Sequence, residues 1–430
     1  MQSGNSFSAP SFGPYVWHIV RFAVILTTAL LFTAQNAHTQ TFQIIQNFTL
    51  GGDGAYPLDR LALDQQGNVY GISAVGRPGI GNDGAVFKLS PTGQDWTFSS
   101  LYNFARLSDG APRSGPALGP DGKVYGTALA GPGSGCNGYG CGLVYRLSPP
   151  GPICSNSWCG WSEEVLYVFT GGVDGSQPSS NLVFDQAGNV YGATWQGGAY
   201  GSGVVYRLSF SNGGWSETVI HHFPEYGEYY DGTHPSSLLS DDSGNLYGIT
   251  SDGGWSGYGT VFKLTESQNG WNEEILYTFT GGEDSGNPLD LVRDSAGNLY
   301  VVTIGAGCSP SKCPDGVGSG GVFRLSPSPL GWTCTKIYSF GNYYFNDARL
   351  SVDAAGNLYG SLARGGDLCA CGEVYKLSPE GDKWVHTVLH DFNGTDGWWV
   401  YSVTADVKGH VYGTTWYGGN GYGVVFQITP

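Results

Sequence analysis

One phrase of residues recurs seven times along this chain, and no other feature limits the possible folds so tightly. It reads Asp-x-x-Gly-Asn-Leu/Val-Tyr-Gly and is followed, after a Gly-rich stretch, by Gly-x-Val-Phe/Tyr-Lys/Arg-Leu. Its Tyr falls at Tyr70, Tyr125, Tyr191, Tyr247, Tyr300, Tyr359 and Tyr412, at spacings of 53 to 66 residues. Self-similarity at such a period marks a solenoid, a propeller or an array, in which each repeat is one supersecondary unit.

Each repeat parses into four short runs with period-2 alternation, which we term strands A to D. In the fourth repeat these are Ser236–Ser240, Leu246–Thr250, Gly259–Leu264 and Trp271–Phe279. The A–B connection, Asp241-Asp-Ser-Gly-Asn245, has the chemistry of a tight turn. Gly244 tolerates a positive φ, and the Asp side chain accepts backbone N–H groups. The recurring Asp64, Asp185, Asp241, Asp294, Asp353 and Asp406 are therefore expected to be structural rather than calcium ligands. The composition agrees: 71 Gly, 14% aromatic and 13% charged residues suit strands and glycine turns, not helices.

The two ends of the chain distinguish a ring from a stack. The sequence after residue 40 begins with a D-type strand, Phe42–Phe48, and ends with a C-type strand, Gly423–Thr429. Pairing them completes a seventh blade and removes an exposed sheet edge. The expected fold is all-β, a seven-bladed β-propeller of four-stranded blades spanning 41–430. Two separate β-sandwiches are the alternative, and they do not account for a uniform repeat.

The N-terminus reads as a targeting segment. His18 and Arg21 precede an apolar run from Phe22 to Ala34, a length that fits a signal-peptide core and not a membrane span. Residues 1–37 are thus expected to be a signal peptide, leaving no integral membrane segment after its cleavage. Export suits the nine Cys. Cys136/Cys141, Cys154/Cys159 and Cys308/Cys313 are spaced as local loop staples, while Cys369 could pair with Cys371 or one of them with Cys334. A formal net charge of −16 argues against nucleic acid, anionic lipid and acidic polysaccharide as partners.

A site is expected where the D–A and B–C loops emerge together, because those loops are long and varied while the A–B turns are tight. Asp-Gly recurs in the D–A loops at Asp53, Asp109, Asp174, Asp231 and Asp396, with Asp284 in the matching place. These carboxylates could form a rim for calcium or a polar ligand, or simply cap their own turns. Aromatic residues gather on the same face: Trp195 and Tyr200, Trp255 and Tyr258, Trp416 and Tyr422, Trp398 and Trp399. Exposed rings with nearby carboxylates suit stacking on sugars; alternatively the rings pack beneath their glycine loops.

Catalytic signatures are sparse. His221 and His390 stand where other D strands carry Tyr and read as structural. His222 and His234 with Asp231 form a thin acid–base candidate. Glu163/Glu164 and Glu273/Glu274 are expected to be solvated edge charges, since adjacent strand residues face opposite ways. No Gly-x-Ser-x-Gly, His-Glu-x-x-His or phosphate loop occurs.

The phrases Asp-Ser-Ala-Gly-Asn-Leu-Tyr (294–300), Gly-Tyr-Gly-Thr-Val-Phe-Lys-Leu (257–264) and Leu-Tyr-Thr-Phe-Thr-Gly-Gly (276–282) resemble the GloVer tandem repeat of choice-of-anchor proteins. That resemblance covers nearly the whole chain after the signal segment. It implies an exported bacterial repeat protein, one whose relatives carry a variable C-terminal anchor. This chain ends at Pro430 with no apolar tail, so a secreted, periplasmic or cell-surface location is expected. Together the readings favour a monomeric, non-catalytic binding module for a neutral glycan or a surface protein, with no catalytic residues and no cofactor beyond a candidate calcium. The alternatives are a propeller lyase or hydrolase and a structural envelope component.

Overall fold

The computed structural model describes residues 40–77, 83–105, 110–151, 160–225, 231–305, 319–340 and 349–429. The expected signal peptide, Asp109, Cys154, Cys159, Cys308 and Cys313 lie outside them. Within 42–429 the chain forms seven four-stranded antiparallel sheets, a seven-bladed β-propeller. Blades 1 to 6 follow in sequence order and occupy 55–103, 117–168, 176–222, 232–278, 288–339 and 350–391. Blade 7 consists of Trp398–Ala405, Val411–Tyr417 and Val424–Thr429, and its outer strand D is Thr41–Asn47 from the other end of the chain. The ring therefore closes as the split repeat requires.

The repeated phrase builds each A–B turn as a small hydrogen-bonded cage. In blade 4 (strand A Gly232–Ser240, strand B Leu246–Gly253) one Asp241 oxygen accepts the Ser243 and Asn245 backbone N–H groups at 3.0 Å. The other accepts the Asn245 amide at 2.9 Å and the Tyr247 hydroxyl at 3.2 Å. The same set recurs at Asp64, Asp185 and Asp353, and Asp294 and Asp406 carry most of it. The Gly after that Tyr is a steric requirement. A Cβ on Gly248 would lie 2.2 Å from the Phe262 ring, and one on Gly192 2.3 Å from the Tyr206 hydroxyl.

The core lies between blades rather than inside them. Seven clusters of buried side chains appear among the described residues, and each straddles one seam between neighbouring blades. A single peg recurs in all seven. The Phe that ends strand D packs against the strand-C aromatic residue of the next blade: Phe48 on Phe87, Phe104 on Tyr145, Phe169 on Tyr206, Phe223 on Phe262, Phe279 on Phe323, Phe340 on Tyr375 and Phe392 on Phe426. Ring centroids lie 5.0 to 6.1 Å apart, mostly edge to face, the geometry that aromatic quadrupoles favour.

Among the described residues the cysteines form two local staples and one thiol. Cys136–Cys141 and Cys369–Cys371 are bonded, while Cys334 is a free thiol on strand D of blade 5. No helix among the described residues is long and apolar enough to cross a membrane.

Candidate functional site

The A strands surround the propeller axis, and their side chains close its floor with charge pairs. Arg60 of blade 1 contacts Asp290 of blade 5, two blades that are not neighbours, so the pair must cross the axis. Asp59 accepts from Arg349 of blade 6 at 3.3 Å and from the Gly115 N–H of blade 2 at 2.8 Å. Asp290 also accepts the Leu350 N–H at 2.8 Å and the Ser237 hydroxyl at 3.3 Å. Burial alone would raise the Asp59 carboxyl; Arg349, the Gly115 N–H and Arg60 outweigh it and hold the group below its ordinary range. Such pairing is what makes a buried carboxylate tolerable.

Above that floor, on the D–A/B–C face, is a cup of about 350 Å³ to which all seven blades contribute. Its lining includes Trp195 and Tyr401, the polar residues Ser179, Ser236, Gln177 and Arg113, and the aliphatic Leu58, Leu129 and Leu289. The volume sits at the small end of the range for small-molecule sites, about 300–1,000 Å³. The Ser179 and Ser236 hydroxyl oxygens are shut off from solvent and have no hydrogen-bond partner. Unsatisfied polar atoms of this kind cost about 1–3 kcal/mol each, and their oxygens turn away from the opening of the cup.

The rim of the cup is a backbone device that periodicity did not reveal. Tyr56, Gln177, His234, Asn287 and Trp399, each near the start of a strand A, adopt φ values of +53 to +64°, an uncommon conformation for residues other than Gly. In each case the twist lets the N–H reach a carbonyl in the preceding blade: Tyr56 to Tyr422, Gln177 to Cys141, His234 to Ser202, Asn287 to Tyr258 and Trp399 to Cys371, at 2.8 to 2.9 Å. Five different side chains are thereby placed at one geometric position around the opening. A weak signal was present, because four of the five directly precede a Pro and all five follow Asp-Gly-x or Asp-Ser-Gly.

The aromatic candidates divide by position. Trp195 lies in the cup, with its ring stacked on His234 at 4.8 Å. Trp416 stacks on Tyr56 at 5.3 Å and faces Tyr401 at 6.1 Å, with Tyr422 against Tyr56 at 6.1 Å. These rings, with Tyr417, form a cluster at the seam of blades 7 and 1 in which only Trp416 and Tyr422 had been expected. Trp398, at the start of a strand A, is 47% exposed, and Tyr200 and Trp255, in B–C loops, are 57% and 66% exposed. Trp399 is covered by the Arg364 guanidinium at 4.8 Å. Tyr258 packs beneath Gly281 and Gly286, where a Cβ would meet its ring.

The D–A carboxylates serve their own loops. Asp174 accepts from Thr170 N, Thr170 Oγ1 and the Tyr167 hydroxyl at 2.6 to 3.1 Å. Asp284 repeats this set with Thr280 and Tyr277. Asp53 takes Thr49 and Gln46, and Asp396 takes Asn393 and His390. Asp231 differs. Its carboxylate accepts the Gly232 N–H at 2.9 Å and lies 3.6 Å from His221.

Two sequence expectations need correction here. The grouping of Asp231 with His222 and His234 does not form: His222 accepts the Ala199 N–H at 3.2 Å, His234 lies 3.3 Å from Asp252, and Asp231 faces His221 instead. Nor are Glu163 and Glu273 solvated edge charges. The first residue of each Glu pair turns toward the preceding blade's strand D, where Glu163 accepts the Tyr102 hydroxyl at 2.9 Å and Glu273 lies 3.5 Å from His221. Only the second, Glu164 or Glu274, faces outward. The strand alternation was read correctly, but the outermost strand of a blade still has one face against its neighbour.

Comparison with known proteins places the fold. Residues 79–313 and, overlapping them, 133–367 match the model of the Gloeobacter/Verrucomicrobia repeat. The extracellular domains of two hybrid two-component system proteins of B. thetaiotaomicron are similar in structure. One gives a TM-score of 0.52 at 11% identity, covering 89% of this chain and 39% of that one. The other gives 0.53 at 13% identity, covering 91% and 41%. The chain thus spans about two fifths of the length of those proteins. At such identity the likeness carries the fold alone. No curated protein matches the sequence.

Proposed function

The chain belongs to the Gloeobacter/Verrucomicrobia repeat family, and from that premise we propose that it is an exported binding module that takes a neutral glycan into the cup on its D–A/B–C face. The observation that carries this reading is the cup itself, where Trp195 and Tyr401 lie together with the polar residues Gln177, Ser179 and Arg113. A sugar matches such a lining, with hydroxyl groups for the polar residues and a C–H face for the indole. The propeller's likeness to extracellular sensor domains, the apolar N-terminal run and the Cys136–Cys141 staple support location outside the cytoplasm.

The exposed Trp255, Tyr200 and Trp398 favour a second contact outside the cup, either more of a longer glycan or a surface protein. Calorimetry with neutral oligosaccharides separates the two. Trp195→Ala and Gln177→Ala are expected to weaken binding about tenfold or more, or roughly 1.4 kcal/mol each, with little change in melting temperature. Weakening by Trp255→Ala and Trp398→Ala alone would move the site out of the cup.

A further inference from the structure

The seam between blades 3 and 4 carries chemistry that the other described seams lack. At most seams, the strand-D residue six before the terminal Phe faces the Tyr or His two before the Phe that ends the preceding blade's strand D. Glu163 meets Tyr102 in this way, His386 stacks on Tyr338, and Phe42 stacks on His390. Cys334 lies beside Tyr277. Only at blades 3 and 4 do an imidazole, a D–A loop carboxylate and a strand-D carboxylate converge. His221 Nε2 lies 3.6 Å from an Asp231 oxygen and 3.5 Å from a Glu273 oxygen, and the three ligand atoms are all within 4.8 Å of one another.

We propose that His221, Asp231 and Glu273 form a binding site for a divalent transition-metal ion of the zinc class, which ties blade 3 to blade 4. The spacing fits the chemistry. Metal–ligand bonds of about 2.0–2.2 Å in a tetrahedron put neighbouring ligand atoms about 3.3–3.6 Å apart. One nitrogen with two carboxylate oxygens is a donor set for zinc or a related ion rather than for calcium or magnesium, which take oxygen ligands. The atoms are also available. His221 Nε2 and Glu273 Oε1 are shut off from solvent and have no hydrogen-bond partner, although both can ligate a metal.

The ligands come from two blades, so the ion would act as a cross-strap between strands Gly214–His222 and Gly270–Thr278. Three protein ligands leave a fourth tetrahedral position for water or a ligand group. The position lies on the outer strands, among residues separate from those lining the cup.

The test uses the chain 41–430, stripped with chelator and then titrated with zinc or cobalt(II) alone. The expected result is about one ion per chain, a cobalt spectrum of tetrahedral intensity, and a melting temperature raised by a few degrees on saturation. Glu273→Gln and His221→Gln should each lower the affinity at least tenfold, whereas Glu163→Gln, at the matching position of blade 2, should leave it unchanged. The cobalt spectrum of the unsubstituted chain is independent of whether a variant folds. No uptake at micromolar metal, an octahedral spectrum without imidazole ligation, or equal uptake by all three variants would overturn the proposal.

Discussion

Single carboxylates show how much the same side chain depends on its seat. Asp185, Asp241 and Asp353 occupy the turn cages, where burial would raise them but the Asn, Tyr and backbone donors outweigh it and lower them. Their contribution to stability is present at neutral pH and is lost as pH falls below the ordinary carboxylate range. Glu217 has the opposite sign. It faces Tyr167, Asp174 and Tyr206 across a seam, and burial followed by the Asp174 charge pushes it up from 4.5 to about 7. The folded chain therefore holds an extra proton between those values, and stability falls as pH rises through about 7. Glu217→Gln removes the charge that the seam disfavours. Urea midpoints should show the variant more stable than the parent at pH 8 and no better at pH 4.5. An equal offset at both pH values would contradict this account of Glu217.

The strand-D Phe peg is the unit that turns separate blades into a ring. Each peg is buried in a neighbouring blade's cluster, and all but Phe279 pack on an aromatic ring that a B-strand Gly admits. Phe223→Ala would leave a cavity against Phe262 between blades 3 and 4, with an expected cost of about 3–5 kcal/mol, read as a lower urea midpoint. A loss below about 1 kcal/mol would mean that the seam collapses around the gap. This layer was largely legible in the sequence. The turn phrase, the four strands and the donated seventh strand D follow from periodicity and turn chemistry. The partner of each peg was not, because periodicity reports which face is apolar and not which blade it meets. The Glu163 and Glu273 misreading has the same origin: an outer strand looks solvated until its neighbour is in place.

The ring as a whole gathers into one cup residues that lie far apart in sequence, from Leu58 to Tyr401. Of the expected sugar-binding aromatic residues, Trp195 lies in the cup. Tyr401, Arg113, Ser179 and Ser236 carried no motif and were invisible until the A strands converged on the axis. The five left-handed rim residues were hidden for a related reason: a shared φ leaves no common side chain to read. Closure also supplies the floor, since Arg60 and Asp290 can meet only across a finished ring. The experiment that bears on the whole account is a titration of the chain 41–430 with neutral oligosaccharides selected on a glycan array, with the recovered sugar checked for cleavage. Saturable binding of intact sugar, lost in Trp195→Ala, is the expected result. Absence of binding to any neutral glycan, or recovery of a shortened product, would contradict the reading of the cup as a non-catalytic glycan site.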